Sequence, residues 1–116
     1  MARSLIKDKY HCAMEVTLEL IGGKWKPLLL YYLFGGTRRF GELKRLLPDV
    51  TQRMLTRQLR ELEGAGLVHR EVFKEVPPRV EYSLTELGWS LKPLIEGMDA
   101  WGEVYVTKIV SQSNVE

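Results

Sequence analysis

The sequence predicts a mainly α-helical domain that carries one small β-hairpin, an α+β arrangement. Apolar residues recur at helical spacing over most of the chain. Only residues 67–84 change to the alternating pattern of strands. The chain has 116 residues, a length typical of one domain. No linker long enough to divide it is visible, so we assign residues 1–116 to a single domain.

Glycine and proline mark the ends of the first three predicted helices. Apolar spacing predicts a first helix over residues 13–21, which a glycine pair ends. A second, strongly apolar helix covers residues 24–34, with Pro27 in its first turn, where a missing N–H is tolerated. A third, short helix covers residues 41–47, and a Pro-Asp turn follows it.

The fourth helix, TQRMLTRQLRELEGAG at residues 51–66, has recognisable signals at both ends. Thr51 is a good N-cap because its hydroxyl can accept a hydrogen bond from a free N–H of the first turn. Val50 and Leu55 have the spacing of a hydrophobic staple. Gly66 suits the left-handed position that follows a helix.

Residues 67–73 and 79–84 are rich in β-branched and aromatic residues and predict a hairpin with a proline-containing tip. Thr85 then caps a C-terminal helical region. Pro93 should kink or split this region. The tail from Ser111 is expected to fray.

The order of the elements indicates the architecture. Two helices joined by the three-residue turn PDV, over about residues 41–64, form a helix-turn-helix. A hairpin directly after the second helix, over about residues 67–84, makes it winged. The sequence therefore predicts a winged helix-turn-helix domain.

Charge is unevenly distributed along the chain. The net charge is only +2, but residues 24–60 carry nine basic and two acidic residues, a net +7. Residues 61–116 carry five basic and ten acidic residues, a net −5. A basic segment of this kind is typical of a site for a polyanion. An uneven solvated surface explains the charge equally well.

The fourth helix is the strongest candidate for a DNA site. On a helical wheel Arg53, Arg57 and Arg60 lie opposite its leucines, with Gln52 and Thr56 beside them. A like-charge i,i+4 pair and basic residues near the N-terminus are unfavourable in an isolated helix. Phosphates reverse both effects. The planar guanidinium of arginine can also donate two hydrogen bonds to guanine, and the amide of Gln52 can bond to adenine. The alternative is a solvated face, but the helix-turn-helix context favours DNA.

Other basic residues suit phosphate contacts that position the protein without reading sequence. Arg38 and Arg39 lie between the second and third helices, and Lys44 lies on the third. Arg79 borders the hairpin tip, where a wing can reach the minor groove or the backbone. General solubility is the alternative for each of these residues.

Cys12 is the single cysteine and lies just before the first helix, beside His11 and close to Lys9. A helix N-terminus and positive neighbours favour the reactive thiolate. The alternative is an inert small apolar side chain. One cysteine excludes a disulfide within the chain and leaves one between chains open.

The sequence shows no sign of an enzyme or a membrane protein. It contains no Gly-rich phosphate loop, HExxH or paired-cysteine pattern, so we expect no catalytic residue, metal or cofactor. It has no signal-peptide hydrophobic region and no apolar run that could span a bilayer. We therefore expect a cytoplasmic protein without a membrane partner.

The chain resembles the HxlR-type winged helix-turn-helix transcriptional regulators of bacteria. The matching segments cover about residues 12–104 and are LELIGGKWKPLLLYYL, RRFGELKRLLPDVTQRMLTRQLRELEGAGLVHR, EVPPRVEYSLTELGWSL and WGE. The resemblance implies a homodimer that binds pseudo-palindromic double-stranded DNA, with the fourth helix in the major groove and the hairpin as the wing. It also implies that the first and last helices, about 13–21 and 90–109, form the dimer interface. On the last helix the interface residues would be Leu94, Met98, Trp101 and Tyr105.

Many members of this family carry a cysteine at the position of Cys12, and several sense oxidants or reactive electrophiles through it. The resemblance therefore adds a redox switch at Cys12 to the expected functions. Proline often follows this cysteine in the family, whereas Ala13 follows it here.

Two other functions stay open, namely a winged-helix module that binds protein and a regulator whose small-molecule effector sits at the dimer interface.

Overall fold

The computed structural model describes residues 9–115. Most of the N-terminal segment, in which the sequence analysis found no signal-peptide hydrophobic region, lies outside these residues. The elements of the structure follow the predicted order of helices interrupted by one hairpin. The helices are α1 (Ala13–Ile21), α2 (Trp25–Leu33), α3 (Phe40–Leu46), α4 (Gln52–Gly64), α5 (Glu86–Trp89) and α6 (Lys92–Val115). The strands are β1 (Arg38–Arg39), β2 (Val68–Phe73) and β3 (Arg79–Leu84). The predicted fold class, mainly α with a small hairpin in a winged helix-turn-helix, is confirmed.

The sheet has one strand more than the sequence predicted. Its three antiparallel strands have the order β1-β3-β2, so β3 is central. The two-residue strand β1 pairs Arg38 with Tyr82 and Arg39 with Glu81. A strand this short shows no alternation in sequence. It ties the connection between α2 and α3 to the wing.

The core is formed where α2, α4 and the inner side of the sheet meet. α4 contributes the three leucines of its apolar face, each at most 1% exposed. One residue of α6 is fully packed against this core, Ile95. The most deeply buried side chains are Leu29, Leu30, Leu33, Leu43, Val50, Leu55, Leu59, Leu62 and Val68.

Both ends of α4 form as the sequence predicts. The Thr51 hydroxyl accepts a hydrogen bond from the Met54 N–H at 3.0 Å. At the other end Gly66 has a φ of 79°, which side-chain-bearing residues rarely adopt. The Leu67 N–H returns to the Leu62 carbonyl at 3.0 Å, as in a Schellman motif. These contacts define where the helix stops and the wing begins.

A second set of hydrogen bonds joins the end of α4 to the end of the wing. The Thr85 hydroxyl donates to the Gly66 carbonyl at 2.6 Å and accepts from the Gly88 N–H at 3.0 Å. The Thr85 N–H donates to the Leu67 carbonyl at 3.1 Å. Thr85 therefore caps α5, as predicted, and also holds α5 against the turn after α4.

The C-terminal region is split as predicted and is longer than predicted. α5 ends at Trp89 and α6 begins at Lys92, which places Pro93 in the first turn of α6, where its missing N–H is tolerated. α6 continues to Val115, beyond Ser111, from where fraying was predicted. No glycine or proline interrupts residues 103–115.

Gly88→Ala should destabilise the fold, because a Cβ there would overlap the Leu67 carbonyl oxygen at the joint between α4 and α5. We expect the free energy of unfolding in urea to fall by about 1–3 kcal/mol, the usual range for overpacking. Gly64→Ala is the matched control, since its Cβ would meet no atom within 4 Å. It should raise the free energy of unfolding by up to about 1 kcal/mol through helix propensity. Equal effects of the two substitutions would contradict this account of the joint.

Candidate nucleic-acid interface

α4 presents its arginines on one exposed surface. Because the leucines of the opposite face are buried, the side chains of Gln52, Arg53, Arg57 and Arg60 are exposed, and Thr56 is half-buried. These five residues line a single concave surface together with Glu61. The structure therefore brings together all the residues that the sequence analysis selected on this helix.

A second depression links α4 to the wing and contains a residue that the sequence analysis missed. Arg70 on β2 lies opposite Tyr82 on β3, so it shares a face of the sheet with the buried Val68. Strand alternation from Val68, in which every second side chain shares a face, would have placed Arg70 on that face. The depression is lined by Phe40, Thr56, Arg60, Glu63, Arg70 and Tyr82.

One arginine of α4 is held by an ion-pair chain. The Arg57 Nε lies 3.1 Å from Glu61 Oε2, and Lys26 Nζ on α2 lies 2.7 Å from Glu61 Oε1. Hydrogen bonds from Lys26, and then from Arg57, hold the pKa of the Glu61 carboxyl below its ordinary value. Within residues 9–115, Arg53 and Arg60 form no salt bridge, so Arg57 differs from both.

The basic residues before α4 differ in how far their charged groups are already engaged. The Arg38 Nε donates to the Tyr32 carbonyl at 2.9 Å, so this guanidinium holds the end of α2. The Lys44 Nζ donates to the Pro48 carbonyl at 3.1 Å, in the turn of the helix-turn-helix. Arg39 is exposed. The Arg39 side chain is therefore less engaged than that of Arg38, although pairing with Glu81 places it on the same face of the sheet as Arg79.

Arg79 is engaged within the wing. Its guanidinium lies 3.2 Å from Glu75 and 3.6 Å from Glu81, and 4.0 Å from the centre of the Phe73 ring. By strand alternation it occupies the face of β3 opposite to Tyr82. The structure therefore does not place Arg79 on the arginine surface of α4, and its contacts indicate a role in shaping the hairpin tip.

The family model described as HxlR-like helix-turn-helix matches residues 20–110, which span α2, the helix-turn-helix, the wing and most of α6. The chain belongs to this family.

Relatives and solved structures agree with this assignment. The HTH-type transcriptional regulator YdeP of Bacillus subtilis (strain 168) is 59% identical over 98 residues, which are 84% of this chain and 77% of that protein. The redox regulator HypR in its oxidized form is 57% identical with a TM-score of 0.78, covering 80% of this chain and 96% of that one. Its reduced form is 53% identical with a TM-score of 0.81, covering 86% and 99%. This HxlR-family chain is a transcriptional regulator with a helix-turn-helix domain.

Cys12 of this HxlR-family chain is exposed at the N-cap position of α1. Its two expected positive neighbours are paired with carboxylates. Lys9 Nζ lies 3.6 Å from Glu19, and His11 Nδ1 lies 3.3 Å from Glu15. Hydrogen bonding from the His11 backbone N–H, and then from its side chain, lowers the pKa of the Glu15 carboxyl. The thiol is thus accessible, and the Lys9 ammonium and the His11 imidazole near it each contact an acid.

α6 carries an apolar surface that the single chain leaves uncovered. Trp101 is 67% exposed and Tyr105 is 54% exposed, and their rings stack with centres 5.5 Å apart. Met14 and Leu18 on α1 are also exposed. Contiguous exposed apolar surface is typical of an interaction site. The exposed apolar residues of α6 are Leu94, Met98, Trp101, Val104, Tyr105, Val106, Ile109 and Val110.

Two further observations concern metals and membranes. In the part of the chain that the structure describes, no three His, Cys, Asp or Glu side chains are grouped so as to hold a metal ion. No helix among the described residues is both long enough and apolar enough to cross a membrane.

Proposed function

We propose that this regulator binds DNA sequence-specifically as a homodimer on pseudo-palindromic operators, with α4 in the major groove and the hairpin as the wing. The observation that carries this proposal is the two-sided character of α4. One side is buried as part of the core, and the other presents Arg53, Arg57 and Arg60 together with Gln52 on a concave surface.

The chemistry of this surface suits a duplex. The major groove of B-DNA admits an α-helix, and arginine and glutamine match the base edges exposed there. The free N–H groups and dipole of the α4 N-terminus favour phosphate. Arg39 would then contact the phosphate backbone, and Arg70 would do so from the wing. The sequence analysis had chosen Arg38, Lys44 and Arg79 as well, but their internal contacts make them weaker candidates.

The apolar surface of α6 supports a homodimer. A two-fold interface uses the same patch on both chains, so Leu94, Met98, Trp101 and Tyr105 would be covered by their own copies. The exposed apolar residues of α1 would extend the patch. A two-fold protein matches a two-fold DNA site, which is the physical reason to expect an inverted repeat.

Selection of tight binders from random duplexes should enrich an inverted repeat. The half-site centres should be about 10 bp apart, or a multiple of this, because each α4 needs its own major groove on one side of the duplex. Arg53→Ala combined with Arg57→Ala should weaken binding to that repeat by about 1–3 kcal/mol for each lost base contact, measured by fluorescence anisotropy.

Glu103→Ala on α6 is the control, because this exposed residue lies on a different helix from the arginine surface. An enriched pool without any repeat, or unchanged affinity in the double variant, would contradict the proposal. Binding that hardly depends on salt would favour the alternative of a protein-binding module, since phosphate contacts make affinity fall steeply with salt.

Trp101→Glu should convert the dimer to a monomer at micromolar concentration, because it would place a charge at the centre of the apolar surface of α6. Sedimentation velocity measures the mass directly. Val72→Glu is the control, since Val72 is also exposed, at 48%, but lies on the wing. Monomeric wild type, or a variant that still sediments as a dimer, would remove α6 from the interface.

A thiol switch is the second candidate function, and the exposure of Cys12 favours it. It is consistent with the similarity to the redox regulator HypR. A two-electron oxidant such as diamide would take two electrons and two protons from two thiols. With one cysteine in each chain, the disulfide would join two chains or one chain and a small thiol.

A regulator switched by a small ligand stays an alternative, for which the groove between α2 and α6 at Tyr31 and Met98 offers space.

Diamide should change the affinity of wild type for its operator, and Cys12→Ser should abolish that change. The serine variant keeps the size and exposure of the side chain and cannot form a disulfide. Operator binding is measured before oxidation, after it, and after reduction with dithiothreitol. An equal response in the serine variant would exclude Cys12 from the switch. Wild type that does not respond would leave the regulator without this thiol control.

A further inference from the structure

A chain of three charged side chains runs from α2 to the exposed surface of α4. Lys26 contacts one oxygen of the Glu61 carboxylate at 2.7 Å, and Arg57 contacts the other at 3.1 Å. Glu61 therefore bridges two cations, one on each helix. It is also the acid that lines the arginine surface of α4.

The inner end of this chain is largely removed from solvent. The Lys26 side chain is 12% exposed, whereas the Arg57 side chain is 71% exposed. A charged amine with so little exposure needs a partner, because desolvation is costly without one. Glu61 supplies it. Its carboxylate is thereby anchored to α2 through one oxygen, which leaves the other oxygen in a defined position for Arg57.

This contact determines which part of the Arg57 guanidinium remains available. Arginine has five N–H donors, one on Nε and four on the two Nη atoms. The Nε–H donates to Glu61, so the N–H groups of the two Nη atoms remain available for another acceptor. Two parallel N–H groups are what the O6 and N7 acceptors of guanine require in the major groove.

Arg53 and Arg60 lack this arrangement. In the described part of the chain neither forms a salt bridge, although both line the same surface. A guanidinium without such a partner suits phosphate, which accepts hydrogen bonds from many directions and carries no sequence information. Reading a base edge demands a defined plane, and a pre-oriented side chain loses less entropy on binding.

We propose that Arg57 is the base-reading arginine of α4, and that Glu61, anchored by Lys26, is the residue that positions its guanidinium. This inference rests on the proposed function and assigns the roles within it: Arg57 reads guanine, and Arg53 and Arg60 contact phosphate. The arrangement favours specificity over affinity, because the negative charge of Glu61 weakens attraction to any phosphate backbone. A plain surface ion pair of Arg57 with Glu61, without a positioning role, would leave specificity unchanged when it is removed.

The base-reading role is tested with the selected operator, in which 7-deazaguanine replaces one guanine at a time. This replacement removes the N7 acceptor and keeps Watson–Crick pairing. One position in each half-site should weaken wild-type binding about 5-fold or more, at the lower end of the range for a bidentate base contact. Arg57→Ala should lose sensitivity at that position alone. Arg53→Ala and Arg60→Ala should bind more weakly overall and keep that sensitivity.

The positioning role is tested with Glu61→Ala and Lys26→Met, each measured on the operator and on a scrambled duplex. Both should lower the ratio of specific to non-specific affinity by about 5-fold, because Glu61→Ala removes the partner of the Arg57 guanidinium and Lys26→Met removes the anchor of that partner. They should differ in non-specific affinity. It should rise in Glu61→Ala, which loses a negative charge, and fall in Lys26→Met, which loses a positive one.

Glu63→Ala is the matched control, because it removes the same charge from the same helix, and Glu63 forms no salt bridge within residues 9–115. It should raise non-specific affinity and keep the specificity ratio. Thermal unfolding confirms that each variant is folded. If wild type prefers no sequence, the proposed function fails. If wild type is specific and Arg57→Ala keeps every 7-deazaguanine effect, or Glu61→Ala keeps the ratio, this inference is overturned and the proposed function stands.

Discussion

The burial of the α4 leucines is the interaction on which the rest of this structure depends. Leu55, Leu59 and Leu62 are at most 1% exposed, so the helix cannot rotate about its axis without withdrawing them from the core. Because residues on a helix are related by a fixed angle, holding the leucines inward holds the arginines outward. The outward direction of the α4 arginines is therefore a consequence of core packing, and hydrophobic burial supplies the free energy for it.

The position of the wing depends on α4 in turn. The turn after α4 uses the left-handed conformation of Gly66, and the hydroxyl of Thr85 bonds to the carbonyl of that same glycine. On the other edge, β1 pairs with β3 and ties the wing to the start of α3. The hairpin is thus held at its base by Thr85 and along β3 by β1. Its tip, which carries Glu75, is shaped by contacts within the hairpin such as those of Arg79.

Features that depend on neighbours in sequence could be predicted, and features that depend on distant partners could not. The caps of α4 and the break at Pro93 involve residues a few positions apart, and all were predicted. The strand β1 and the internal bonds of Arg38 exist because Tyr82 and Tyr32 lie where they do. Neither partner can be read from the local sequence. The helical wheel grouped side chains that do line one surface of the structure, but it did not include Glu61, since the link of Glu61 to Lys26 crosses between helices.

The link between Lys26 and Glu61 also explains an arrangement of charge that first looks unfavourable. An acid repels phosphate, and Glu61 lines the concave surface of α4 that is proposed to bind DNA. The structure offsets this with an amine from α2 that is nearly buried, so the group of Lys26, Glu61 and Arg57 keeps a net charge of +1. The same positive charge carried by Arg57 alone would attract DNA equally at long range, but its fork would be free to turn. In the proposed role, the extra pair of charges fixes the orientation of the Arg57 guanidinium and adds no attraction, and reading a base edge requires such a fixed orientation.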